Sequence, residues 1–217
     1  MRPRVTLVAR VADDFELLEA WRAGDKQAAN ALFDRYFEPL YCFFRNKVED
    51  GCAEDLVQQT FLACLQAIGG FRGDASFRTY LFRAARSKLY DHLTARFRRG
   101  KAIDPDATSS ADLGVMPSFA RTTHEQHRLL LHALRRLPLE HQVTVELYYF
   151  EGMHAPELAV ILDLPEGTVR TRLRRALQLL RERLAELQSG QRPIESDAPE
   201  LEGWAAEIRR VVLDRGE

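Results

Sequence analysis

The strongest constraint on this chain is its hydrophobic periodicity. Apolar residues recur at intervals of three and four along most of its length, and no run of strict alternation is long enough to propose a sheet. An all-α fold follows. Breaker-rich stretches cut the pattern into segments. A first helix is expected after the capping pair Asp13–Asp14, ending at Gly24. Asp25 can cap a second, with Ala29, Leu32, Phe33, Tyr36, Leu40 and Phe43 on one face, and Pro39 is expected to kink or interrupt it. A third is expected from Ala53 to Ile68, its buried stripe passing through Leu56, Val57, Phe61 and Cys64, with a stop at Gly69–Gly70. A fourth should run from near Ser76 to Phe97.

Residues 100–121 change character. Asp104–Pro105, Ala107–Thr108–Ser109–Ser110 and Met116–Pro117–Ser118 supply breakers without an apolar period, so a flexible linker is expected. Helical pattern resumes with Thr123 and Gln126 spaced as a capping box, and Leu130, Leu134 and Leu137 form the next stripe. Another helix carries Val143, Leu147 and Phe150 and stops at Glu151–Gly152. Past Ser189–Gly190, an amphipathic helix is expected from Leu201 to Asp214. The chain thus reads as a helical module over 12–99, a linker over 100–121, a second helical module over 123–188 and a C-terminal extension over 189–217.

The segment from Pro156 to Leu187 is the most informative. A short helix over Pro156–Leu162 contains the small Ala159, which lets a second helix cross closely. Asp163–Leu164–Pro165–Glu166–Gly167 then reads as a tight turn, since Asp tolerates the left-handed conformation and Pro and Gly form turns. At about 100° per residue the following helix separates into two faces. Val169, Leu173, Ala176, Leu177 and Leu180 fall on one, and Arg170, Thr171, Arg174, Arg175 and Gln178 on the other. This is a helix-turn-helix pattern, and the polar face suits a major groove, where arginine forks match guanine edges or phosphates. The net charge of −1 hides this: Glu166 to Leu184 carries six Arg against two Glu.

The first module has its own basic stretch. Between Phe71 and Lys101 stand nine Lys or Arg and two Asp, interleaved with six aromatics. Cations that track a backbone and rings that stack on unpaired bases are how proteins hold single strands. Phe77, Leu81 and Ala85 fit a core stripe better, whereas Tyr80, Phe82 and Tyr90 fit either role. One helix earlier the polarity reverses. Glu49, Asp50, Glu54 and Asp55 precede Gln58 and Gln59, a face suited to a basic protein surface, although Glu54 and Asp55 also favour a helix N-terminus for its dipole.

Three unpaired-looking cysteines, Cys42, Cys52 and Cys64, fit reduced thiols in the cytoplasm rather than a disulfide framework. No stretch approaches the ~20 apolar residues of a membrane span, and Met1 to Val11 lacks the apolar run of a secretory signal. His124, His127 and His132 lack the companion ligands of a metal site, and no phosphate loop or nucleophile–base pair stands out. No enzyme activity, cofactor or membrane insertion is expected.

Taken together these residues resemble bacterial sigma factors of the extracytoplasmic-function group, over about 12–99 and 123–186. Ala53-Glu54-Asp55-Leu56-Val57-Gln58-Gln59-Thr60-Phe61-Leu62 is similar to the family's polymerase-binding helix, and Phe77-Arg78-Thr79-Tyr80-Leu81-Phe82-Arg83 to the start of its promoter-melting helix. Leu137–Pro138, Glu151–Gly152, Glu157-Leu158-Ala159 and Gly167-Thr168-Val169-Arg170-Thr171-Arg172-Leu173 are similar to its upstream-element reader. The resemblance implies core RNA polymerase and promoter DNA as partners, and a possible anti-sigma factor. It implies polymerase contacts at Glu54, Asp55, Gln58 and Gln59. Minus-ten contacts are implied at Arg72, Arg78, Tyr80, Arg83, Arg86, Ser87 and Arg96, and minus-thirty-five contacts at Thr168, Arg170, Thr171, Arg174 and Arg175. The linker resembles the segment that threads toward the RNA exit channel. Ser87 stands where the family has Asn, Tyr80 where it has Trp, Gln59 where it has Glu, Gln142 where it has Arg, Asp163 where it has Gly and His154 where it has Ser. A two-domain helix-turn-helix regulator with an N-terminal sensor module is the alternative; it leaves the acidic helix followed by a basic aromatic one without a role.

Overall fold

Helix α1 (Asp14–Arg22) begins where the Asp13 carboxylate accepts from the Glu16 amide at 2.8 Å and Glu16 returns the contact to the Asp13 amide at 3.1 Å, a reciprocal cap. The computed structural model describes residues 13–49, 51–67, 73, 75–97, 104–114 and 125–187. Gly24 ends the first hairpin turn at φ +97°, a conformation costly for any residue with a Cβ. Asp25 then caps α2 (Lys26–Arg45) by accepting from the Gln27 amide at 2.8 Å. Helix α2 continues through Pro39, so of the kink or interruption expected there the interruption does not occur. Its packing explains why. Tyr36 and Leu40 on either side are buried, and Asp14 of α1 accepts from both Arg35 and the Tyr36 hydroxyl, which ties the turn before the proline to its neighbour.

Helix α3 (Cys52–Ala67) buries Ala53, Leu56, Val57, Phe61 and Cys64, the stripe read from sequence, and α4 (Phe77–Phe97) follows. Burial pushes the Cys64 thiol up to about 12, as suits a core side chain. In α4, Phe77, Leu81, Ala85, Leu89 and Leu93 are buried, and so is Phe82. Phe82 makes an edge-on contact with Phe43, with centroids 5.7 Å apart, so it is core and not a stacking platform.

Helix α5 (Glu125–Arg135) leads through Leu137–Pro138 into α6 (Leu139–Val145), which widens into one π turn over Glu146–Phe150. The Glu151 amide closes that turn onto the Glu146 carbonyl at 3.1 Å, and Gly152 at φ +62° ends it. Helices α7 (Ala155–Leu162) and α8 (Glu166–Leu187) complete the described residues. Part of the segment expected to be a linker is folded. Over 104–114 a series of turns is pinned to the helices around it: the Leu139 amide donates to Thr108, the Glu140 amide to Pro105 and the Ala111 amide to Arg135. The Thr123 cap, the Gly69–Gly70 stop and the helix expected over 201–214 lie outside the described residues.

The core is shared. Leu81, Phe82 and Ala85 of α4 belong to one buried cluster with Val143, Leu147, Leu158 and Ile161 from the second half of the chain, and α4 lies between α3 and α7. A second cluster joins Leu130, Leu134 and Leu137 to Ala176, Leu180 and Leu184. The two halves therefore pack directly on one another.

Candidate nucleic-acid interface

The α7–turn–α8 unit is built by three local devices. Glu157 accepts from the His154 amide at 3.0 Å, satisfying a donor at the start of α7 although histidine replaces the serine cap of the family pattern. Asp163 ends α7 in the left-handed conformation (φ 57°, ψ 50°), which explains how it stands where the family has glycine. The Thr168 and Val169 amides both reach the Pro165 carbonyl, so α8 starts as soon as the chain has reversed. Gly167 consequently lies inside the first turn of α8 rather than in the reversal.

On α8 the two expected faces are present. Val169, Ala176 and Leu180 are buried, while Thr168, Arg170, Thr171, Arg174 and Arg175 are exposed along one side. Arg170 is paired with Glu166 one turn earlier at 2.8 Å, and the Thr171 hydroxyl donates to the Gly167 carbonyl at 3.0 Å. Both groups are exposed, and an ion pair at such a surface is worth little. Arg172 differs: its side chain is only 16% exposed and is held by Glu140 at 3.0 Å and Asp106 at 3.2 Å. It anchors α8 to α6 and to the 104–114 turns.

On α3, Glu54, Asp55, Gln58 and Gln59 are all exposed, opposite the buried stripe, beside the exposed apolar side chains Leu62 and Leu65. On α4 the expected single-strand residues divide. Arg83 and Ser87 are exposed and Tyr80 is half-buried against the core. Arg96 is paired with Glu49. Arg78 donates to the Glu151 carbonyl and lies 3.2 Å from its carboxylate, and Arg86 is paired with Glu140. Arg72 lies outside the described residues.

Sequence reasoning missed the partners of these cations. Glu140, Glu146 and Glu151 are buried, and so is Lys47, which pairs with Glu146. The one sequence signal was placement: Glu146 is a lone charge within the otherwise apolar or small run Val143-Thr144-Val145-Glu146-Leu147. Gln142, where the family has Arg, is also buried. It donates to Glu146 at 2.9 Å and accepts from the Ser110 hydroxyl at 2.9 Å.

Two family models match the chain: Sigma-70 region 2 over residues 32–99 and Sigma-70 region 4 over residues 127–180. The ECF RNA polymerase sigma-E factors of Salmonella typhimurium and Escherichia coli are each 30% identical over 175 residues, covering 77% of this chain and 92% of theirs. That of Haemophilus influenzae is 29% identical over 188 residues, covering 83% of this chain and 100% of its own. Among solved structures, CnrH in complex with the cytosolic domain of CnrY aligns with a TM-score of 0.60 at 26% identity, covering 82% of this chain and 100% of that one. RpoE of Bartonella quintana, solved with the anti-sigma factor NepR, shares the fold with a TM-score of 0.53 at 23% identity, covering 77% and 98%. A region 2 match on the acidic and basic helices, a region 4 match on the helix-turn-helix and relatives of one kind favour a sigma factor over a two-domain regulator with a sensor module. The chain belongs to the sigma-70 family, in the ECF group of RNA polymerase sigma factors, the subunits that give core polymerase its promoter recognition.

Proposed function

We propose that each exposed face has one partner in initiation. The α3 face of Glu54, Asp55, Gln58 and Gln59 docks on core polymerase. The α4 residues Arg78, Tyr80, Arg83, Arg86, Ser87 and Arg96, with Arg72 before them, take up the opened minus-ten strand. The α8 residues Thr168, Arg170, Thr171, Arg174 and Arg175 read the minus-thirty-five element as duplex. The corresponding modules are residues 12–99 and 123–188. The segregation of charge carries this reading: an acidic, amide-bearing helix and an arginine-bearing recognition helix are both exposed, and DNA repels the first while attracting the second. No helix among the described residues is long and apolar enough to cross a membrane; the likeness to the sigma-E factors supports the work of a cytoplasmic, non-catalytic subunit. The complexes of CnrH with the cytosolic domain of CnrY and of the Bartonella RpoE with the anti-sigma factor NepR support a protein partner of the anti-sigma kind for this chain.

Affinity capture with core polymerase tests the assignment of α3. D55A/Q58A should bind core enzyme at least about tenfold more weakly, the loss of roughly 1.4 kcal/mol. Its helical content should be retained, since both side chains are exposed, and its stability lowered only by the ~0.3–1 kcal/mol that Asp55 contributes at the first turn of α3. Retention of full polymerase affinity would move the docking surface elsewhere.

A further inference from the structure

The second core has an apolar margin along α8. Leu130 and Leu134 of α5, Tyr149 and Phe150 of the π turn and Leu180 of α8 line a shallow cleft. Leu173 and Leu177 of α8 pack at the edge of the same cluster and are half-buried. Arg174 and Arg181 stand three positions before and four positions after Leu177, so both flank it on the helix surface, and both are exposed. The cleft is thus a strip of apolar surface bordered along α8 by two arginines seven residues apart.

We infer that residues 201–214 of this same chain seat in the cleft between α5 and α8 as a helix and complete the second core. Pattern, charge and reach all favour this occupant. Leu201, Trp204, Ala205, Ile208, Val211 and Val212 recur at the spacing of one helical face, a stripe that a short helix does not sustain in water on its own. Glu207 and Asp214 border that stripe on one side. They stand seven residues apart, the same two-turn interval of about 10 Å that separates Arg174 from Arg181. A segment seated with its stripe in the cleft therefore offers a carboxylate to each arginine. The wider balance agrees: residues 189–217 carry seven Asp or Glu against four Arg, and α8 carries six Arg against three Glu. Reach is ample. Helix α8 ends at Leu187, and the thirteen residues 188–200 lead to Leu201. Fully extended they span about 45 Å, whereas Leu180 lies only about 10 Å back along α8 from its end. A tether this short also holds the segment at a high effective concentration beside the cleft, which a separate partner would have to match.

Photo-crosslinking within the full chain tests this, with Trp204→p-benzoylphenylalanine as the reporter. After illumination the expected product is a single chain whose adduct maps to the peptides carrying Leu130–Leu134, Tyr149–Phe150 or Leu173–Leu177. Adducts on α1 to α4, adducts that join two chains, or no adduct at all overturn the proposal. Adding Glu207→Lys and Asp214→Lys to the reporter chain should diminish the cleft adduct, and a yield that the reversal leaves unchanged at low salt overturns the pairing with Arg174 and Arg181. Should the reporter chain fold poorly, Trp204 fluorescence decides, taken as the difference between the parent and Trp204→Phe. Blue-shifted emission protected from a soluble quencher, and moved to the red by Leu177→Glu, is expected. Emission of a solvated indole in the parent, or emission that Leu177→Glu does not move, overturns the proposal.

Discussion

Lys47 and Glu146 show how much a single pair can carry in a fold of this size. The ammonium is fully buried, and burial draws its proton affinity below the ordinary lysine range, while the Glu146 carboxylate opposes that shift. An ion pair in such a place need not stabilise the fold relative to apolar side chains of the same size, yet removing one member strands the other. Lys47→Met alone should therefore destabilise the protein by about 3–5 kcal/mol, and Lys47→Met with Glu146→Gln, whose amide oxygen can still accept from Asn46 and Gln142, should recover part of that loss. Denaturant unfolding of the two variants and the parent measures the difference. Equal losses in the single and double variants would mean that the pair itself, and not the stranded charge, holds the interface. At this scale the sequence was legible wherever a residue answers to its immediate neighbours. Asp13, Asp25 and Asp163 cap or end helices because a short carboxylate meets nearby amides or accepts a left-handed backbone. Lys47 was illegible because its partner stands 99 positions away.

Among the elements, α8 was the most readable and α4 the least. Helix α8 faces protein on one side only, so its two faces sort by polarity and the pattern shows through. Helix α4 is packed on α3 and on α7, so apolar residues such as Leu81 and Phe82 stand on adjacent positions and the stripe that marks a one-sided helix is blurred. The aromatic-rich stretch was accordingly open to a stacking reading that Phe82 does not support. The 104–114 turns were read as flexible because they lack an apolar period, whereas hydrogen bonds to α5 and α6, together with the buried Ser109 and Ser110, hold them. Propensity argued for a break at Pro39, and packing on both sides of it overrode a cost of about 3 kcal/mol. For α8 the accounts separate by residue. Arg174→Ala should lose roughly 1–3 kcal/mol of duplex binding and relax preference at one base pair if Arg174 reads a guanine. Arg172→Ala should lower thermal stability through the lost Glu140 and Asp106 contacts and leave base preference alone. A binding-site selection in which Arg172→Ala changes the preferred sequence more than Arg174→Ala would contradict the face assignment.

Over the whole molecule, two helical modules could be read from periodicity and from the interrupted stretch between them, because each has its own apolar stripes. Their mutual packing could not, since the residues that join them, Leu81 and Phe82 with Leu158 and Ile161, look like ordinary core positions of separate helices. The same holds for the carboxylates that meet Arg78 and Arg86. The charged patches proposed as polymerase and DNA faces were legible because the acidic residues of α3 and the arginines of α8 lie on faces that the apolar stripes leave exposed. The most direct measurement is reconstituted transcription on a fragmented genomic library, with core polymerase alone, this protein alone and the two together, followed by mapping of the transcript starts. The account predicts discrete starts only in the combined reaction, sharing two upstream elements at one spacing, and loss of preference in the upstream element alone for Arg174→Ala. Starts that do not depend on the protein, or that share no upstream element, would contradict it.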